Sequence, residues 1–167
     1  MKKVLVAISI LIVVIVILLL LGKKQITTGI VIDAPADAVW AELTDFPRYP
    51  EWNPFIKKVS GEIAKGGTIE VTFHTKGSDP VVFTPTILAN DPNSLFQWEG
   101  RLLMPGIFTG RHTFQLETID AKKTRLVQKE DFNGILVLFF NFDSTVEGFT
   151  LMNEALKKRV EGARKRG

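Results

Sequence analysis

Apolar and polar positions along the chain fall into three kinds of pattern. Val4 to Leu21 is apolar throughout apart from Ser9. That run predicts one helix of roughly 27 Å, about the thickness of bilayer hydrocarbon. From Ile26 to Phe132, short runs alternate apolar with polar residues and are separated by Gly, Pro, Asn and Asp, which predicts antiparallel strands. Beyond them Val146, Phe149, Met152 or Asn153, Leu156 and Val160 recur at helical spacing and predict a long final helix.

Taken in order, Ile26 to Asp33 reads as strand one. Ala34 and Pro35 open a helix with Ala36, Val39, Trp40 and Leu43 on its apolar side. Phe46, Pro47, Arg48, Tyr49 and Pro50 end it near Asp45. Phe55 to Ile63, Thr68 to Thr75, Val81 to Ala89 and Leu95 to Leu103 read as strands two to five. Turns fall at Gly66–Gly67, at Gly77 to Pro80 through Ser78 and Asp79, and at Asn90 to Asn93. Pro85 predicts a bulge or an edge position in strand four, because it has no N–H to give to a ladder. Phe108 to Gly134 is a hairpin around a polar turn at Asp120 to Lys123. An apolar run, Ile135 to Phe140, leads to the last helix, where Ser144 and Glu147 have capping-box spacing. These elements predict an α+β fold with about seven strands, curled around the C-terminal helix.

The hairpin carries the sharpest chemistry. Phe108, Gly110, His112, Phe114 and Leu116 share its inward face with Leu126, Gln128, Glu130 and Phe132. Pairing residue 119 with 123 sets His112 directly across from Glu130. An imidazole and a carboxylate then stand on an apolar face. They read either as a hydrogen-bonded pair satisfied within a core or as the polar anchor of a ligand cavity. His74 faces away from Ile69, Val71 and Phe73 and receives no role.

Charge narrows the function. The net charge is +3, but Lys2, Lys3, Lys23, Lys24 and the C-terminal Lys157, Lys158, Arg159, Arg164, Lys165 and Arg166 supply the excess. The body between them carries more acidic than basic residues, which argues against a nucleic-acid face. The C-terminal cations read as a solvated helix end or as a contact for anionic headgroups. The chain has no cysteine. It shows no Ser/His/Asp arrangement, no phosphate-cradling glycine loop and no metal cluster, so no cofactor or metal is expected. The apolar N-terminal helix is followed by Gly22, Lys23, Lys24 and Gln25 rather than by a small-x-small cleavage site. It therefore reads as an uncleaved single-pass anchor rather than a signal peptide. The positive-inside rule leans toward an extracytoplasmic domain, and the short linker keeps that domain close to the bilayer.

Four segments carry a family resemblance: DAPADAVWAELTDFPRYPEWNPF (Asp33 to Phe55), LFQWEGRL (Leu95 to Leu102), PGIFTGRHTFQLE (Pro105 to Glu117) and TRLVQKEDFNG (Thr124 to Gly134). Through them the chain resembles the SRPBCC superfamily with the START-type helix-grip fold, above all its polyketide cyclase/dehydrase and lipid-transport branch. On that resemblance the chain divides into an anchor with basic flanks at 1–24, a START-like domain at 25–163 and a basic tail at 164–167.

The resemblance implies an apolar cavity between sheet and last helix, with Trp52 and Pro54 near its mouth. Its expected walls are Trp98, His112, Phe114, Glu130, Phe132, Phe149 and Met152, although each aromatic also reads as plain core. The implied function is a membrane-tethered domain that holds a hydrophobic small molecule or lipid, with His112 and Glu130 at its polar end. Two alternatives stand beside it. One is a cyclase or dehydratase in which His112 acts as general acid/base and Glu130 orients it. The other is a protein-interaction domain with a filled cavity, which a volume below about 300 Å³ would favour.

Overall fold

Pairing between the first and last strands closes the domain. The computed structural model describes residues 2–75, 77 and 79–164. The main sheet has five antiparallel strands in the order β1-β8-β7-β6-β5: β1 (Lys23–Ile32), β8 (Lys123–Asn133), β7 (Phe108–Asp120), β6 (Leu95–Leu102) and β5 (Thr86–Asp91). A second sheet of three strands runs β2 (Ile56–Gly61), β3 (Ile69–Phe73) and β4 (Val81–Phe83). The helices are α1 (Lys2–Leu21), α2 (Ala36–Thr44), α3 (Tyr49–Trp52) and α4 (Asp143–Arg164), with 3₁₀ turns at Phe46–Arg48 and Ile135–Phe139. Ser78 of the expected turn and residues 165–167 of the expected tail lie outside the described residues.

Eight strands in two sheets replace the seven expected in one, and Pro85 is the cause. It does more than bulge strand four: it divides Val81–Phe83 from Thr86–Asp91, so the chain passes from the small sheet to the large one. The carbonyl of Pro85 still accepts from Ile69 N–H at 3.0 Å, and Thr68 bridges Thr86, so the two sheets stay joined at this seam.

The hairpin register follows the sequence pattern. His112 lies opposite Glu130 and Thr118 opposite Thr124. A bulge shifts the pairing between Thr118 and Asp120, beyond the pair, and leaves it in place.

α4 packs its apolar stripe against the main sheet. Phe149, Met152, Leu156 and Val160 are buried, each worth roughly 1.5–3 kcal/mol of transfer free energy. Val146, expected in that stripe, is exposed. The expected capping box is absent too. Asn141 Oδ1 accepts from Asp143 N–H at 2.8 Å, and Phe142 O accepts from the N–H groups of Thr145 and Val146. Ser144 instead lines a cavity described below. Two of the C-terminal cations are structural: Arg159 bridges Glu42 of α2 and Glu51 of α3, and Lys157 donates to Val31 O.

Candidate functional site

Trp98 on β6, His112 on β7 and Glu130 on β8 occupy facing positions on three neighbouring strands. Alternation sends all three inward. Trp98 and His112 stack with ring centroids 4.7 Å apart and planes 13° from parallel. His112 Nδ1 and Glu130 Oε2 are 2.5 Å apart, and Gln128 Nε2 lies 3.2 Å from His112 Nε2. With Nδ1–H donating to the carboxylate, the ring accepts the Gln128 amide N–H at Nε2. Both imidazole nitrogens thus have protein partners, and the ring is buried completely. Phe114 and Phe149 close on it at 4.5 and 4.9 Å.

Beside this group lies a cavity of about 280 Å³, open to the surface at one side. Phe55, Phe73, Phe83, Trp98, Phe108, Phe132 and Phe149 line it, and among the described residues Glu130 is the one charged side chain at its wall. Its carboxylate is split in use. Oε2 holds His112, while Oε1 has no hydrogen-bond partner among the described residues and is left for the cavity. Gly110 makes room for that oxygen, and Gly100 leaves open wall opposite. Among the described residues no three His, Cys, Asp or Glu side chains converge as a metal site would require.

The structure thus divides the residues singled out in the sequence. Trp98, Glu130, Phe132 and Phe149 face the cavity. His112, Phe114 and Met152 lie behind its wall. There Met152 Sδ meets Gln128 Nε2 at 3.7 Å, and these side chains fill the middle of the space between α4 and the sheet. Trp52 packs on Tyr49 with ring centroids 5.1 Å apart, and neither it nor Pro54 reaches the cavity; their neighbour Phe55 does.

Phe55, Phe108, Phe140 and Phe142 escaped sequence reasoning as site residues. Phe108 stood on the correct face, but Phe140 and Phe142 lie in an irregular segment where periodicity gives no orientation. Gln128 also stood on the inward face, without an assigned role.

On the outer face of the same sheet, Arg101 and Arg111 each donate twice to Glu99. Burial alone would raise the Glu99 carboxyl, but these hydrogen bonds and charges outweigh it and hold it below its ordinary value. Asp131 is lowered the same way, burial being overcome by Gln25 and Lys129. Tyr49 is pushed far up by burial, with its hydroxyl donating to Leu43 O.

Residues 23–167 match the family model for polyketide cyclase/dehydrase and lipid transport. No curated protein matches the chain. Among solved structures, the Zhui aromatase/cyclase from Streptomyces sp. R1128 aligns with a TM-score of 0.67 at 19% identity, over 83% of this chain and 94% of that one. A START superfamily protein from Mycobacterium smegmatis aligns with a TM-score of 0.64 at 20% identity, over 83% and 98%. Norcoclaurine synthase from Thalictrum flavum, in complex with dopamine and hydroxybenzaldehyde, aligns at 0.63 with 13% identity, over 84% and 87%. At these identities the likeness is one of fold, and it is the helix-grip fold.

Proposed function

The chain belongs to the polyketide cyclase/dehydrase and lipid transport family, and from that premise we propose that it is a membrane-anchored binding domain for a hydrophobic small molecule or lipid. The observation that carries this reading is an aromatic cavity whose one charged side chain among the described residues, Glu130, has an oxygen with no hydrogen-bond partner among them. Such a lining selects a ligand with an apolar body and one hydrogen-bond donor for Oε1. Apolar burial would supply most of the affinity, at roughly 25 cal/mol per Å², and the carboxylate would supply orientation.

Size alone argues the other way, since about 280 Å³ falls just under the roughly 300 Å³ at which ligand pockets begin. The lining decides. A domain built only to display its surface gains nothing from a phenylalanine-walled space open at one side, or from an unpaired carboxylate oxygen within it. The open side also lets part of a longer ligand project. Holding is favoured over turnover because both nitrogens of His112 are engaged and its ring lies behind the wall. The anchor is α1: twenty residues, none of them buried, joined to β1 through the single residue Gly22.

The test is mass analysis of what co-purifies with the full chain in detergent, compared with Gly100→Phe. Gly100 lines the cavity, and a Cβ there meets only Pro85 Cβ within 4 Å, at 3.6 Å, so a larger side chain can start from this wall without backbone conflict and take up cavity space. The expected result is an apolar molecule retained by the native chain and lost from the variant. Equal recovery from both, or from neither, would overturn the reading.

A further inference from the structure

Three segments meet where α1 joins the domain. Gly22 is buried between α1 and β1, and its carbonyl accepts from Gly134 N–H at 2.8 Å. A Cβ on Gly22 would run into Gly134 O, so the backbones are as close as they can be. The corner after β6 is fastened to the same place. Ile135 N–H donates to Gly106 O at 3.0 Å and Leu136 N–H to Ile107 O at 3.1 Å. Leu19 of α1 lies against Gly106, 3.1 Å from where a Cβ would stand. The end of α1, the corner and the Ile135–Phe139 turn thus form one fastened edge.

That edge turns apolar side chains outward. Leu103 is 82% exposed, Phe139 76% and Met104 63%, with Leu138 and Phe140 also exposed. Leu103 adopts φ of 64°, the left-handed region that a bulky residue avoids unless its surroundings impose it. Lys23 and Lys24 flank the edge and share a second cavity of about 450 Å³ with Leu138, Phe140 and Phe142. Phe140 and Phe142 also line the first cavity, where Phe140 packs on Phe108 at 5.3 Å and Phe142 on Phe132 at 4.5 Å. One aromatic wall therefore runs from the exposed edge into the binding cavity.

We propose that this edge docks on the surface of the bilayer that holds α1. Leu103, Met104, Phe139 and Phe140 enter the boundary between headgroups and acyl chains, and Lys23 and Lys24 meet anionic headgroups. The cavity then opens onto that boundary, and its ligand passes between bilayer and protein without crossing water. This rests on the reading of α1 as an anchor. What it adds is a fixed orientation of the domain and a route of entry.

The chain has no cysteine, so single-cysteine variants of the full chain report cleanly. Leu103→Cys and Phe139→Cys test the edge. Val13→Cys tests α1, and Ala121→Cys tests the far turn of the hairpin, roughly 40 Å along β7 from Phe108. Each is labelled with nitrobenzoxadiazole in nanodiscs containing spin-labelled phospholipid. The expected result is blue-shifted emission and severalfold stronger quenching at positions 13, 103 and 139 than at 121. Quenching at 13, with 103 and 139 behaving like 121, would keep the anchor and overturn the docking. No quenching at 13 would remove the anchor and the docking with it. Exchanging anionic lipid for phosphatidylcholine should weaken quenching at 103 and 139 but not at 13; unchanged quenching would overturn the part given to Lys23 and Lys24.

Discussion

Glu130 Oε1 stands in the space a side chain at position 110 would need: a Cβ on Gly110 would lie 2.6 Å from it. The atom met is the tip of a flexible side chain, so in Gly110→Ala the carboxylate should move and the strand should hold. Yet Oε2 is tied to His112, so that movement breaks the buried hydrogen bond. The expected loss is about 1–2 kcal/mol, read by thermal unfolding of the full chain in detergent. The His112 ring-nitrogen resonances should shift with it. Native stability with unchanged ring resonances would mean that the carboxylate is not where this packing puts it.

The two halves of the carboxylate predict a split between two substitutions at Glu130. In Glu130→Gln the amide oxygen can still accept from His112 Nδ1–H, so stability should fall by less than about 1 kcal/mol. In Glu130→Ala a fully buried donor loses its partner, which costs about 1–3 kcal/mol. Both variants should bind ligand more weakly, because both lose the charged oxygen facing the cavity. Urea titrations should therefore rank native, Gln and Ala in that order, while ligand retention should group Gln with Ala. Full retention by the Gln variant would show that the negative charge plays no part in recognition.

The same pair shows how far the sequence could be read. Alternation and a short polar turn are local, so the hairpin's faces and register were legible, and the bulge fell where it displaced neither His112 nor Glu130. What alternation cannot give is depth along a face. His112 and Glu130 point the same way, yet one is sealed by Trp98, Phe114, Gln128 and Phe149 while the other meets open space. The boundary is set by where Met152 and Phe149 of α4 land on the sheet, a tertiary fact. Pro85 teaches the same lesson. Its missing N–H announced a disruption, but the passage from one sheet to the other depends on the bridge between Thr68 and Thr86, distant in sequence.

Acid should weaken the outer face of the sheet. Glu99 has an ordinary value of 4.5 and Asp131 of 3.8, and both are lowered in the folded chain. A carboxyl lowered by folding contributes stability above its unfolded value, and loses it as pH falls through the folded one. The loss should therefore run downward from about pH 5. Glu99→Gln should be less stable than the native chain at pH 7, by no more than about 1 kcal/mol because Arg101 and Arg111 are exposed. The gap should close as pH drops toward 3, which melting curves at several pH values would follow. A gap that widens in acid would contradict the assignment of Arg101 and Arg111 as the cause.

Gly148 sets two familiar effects against each other. It lies within α4, where alanine ordinarily gains about 1 kcal/mol over glycine. A Cβ there would run into the ring of Phe55, however, and that ring is wedged against Phe73 at 5.3 Å and Phe149 at 5.6 Å. Overpacking of this kind costs about 1–3 kcal/mol, so Gly148→Ala should destabilise the chain despite its helix preference. Phe55→Leu should then cost less in the Gly148→Ala background than in the native one, with a coupling of about 0.5–3 kcal/mol in a double-mutant cycle. Phe55 also lines the cavity, so the displaced ring should reduce ligand retention in the single variant. Stabilisation by Gly148→Ala would mean that the ring yields freely. The glycine would then serve some purpose other than admitting Phe55.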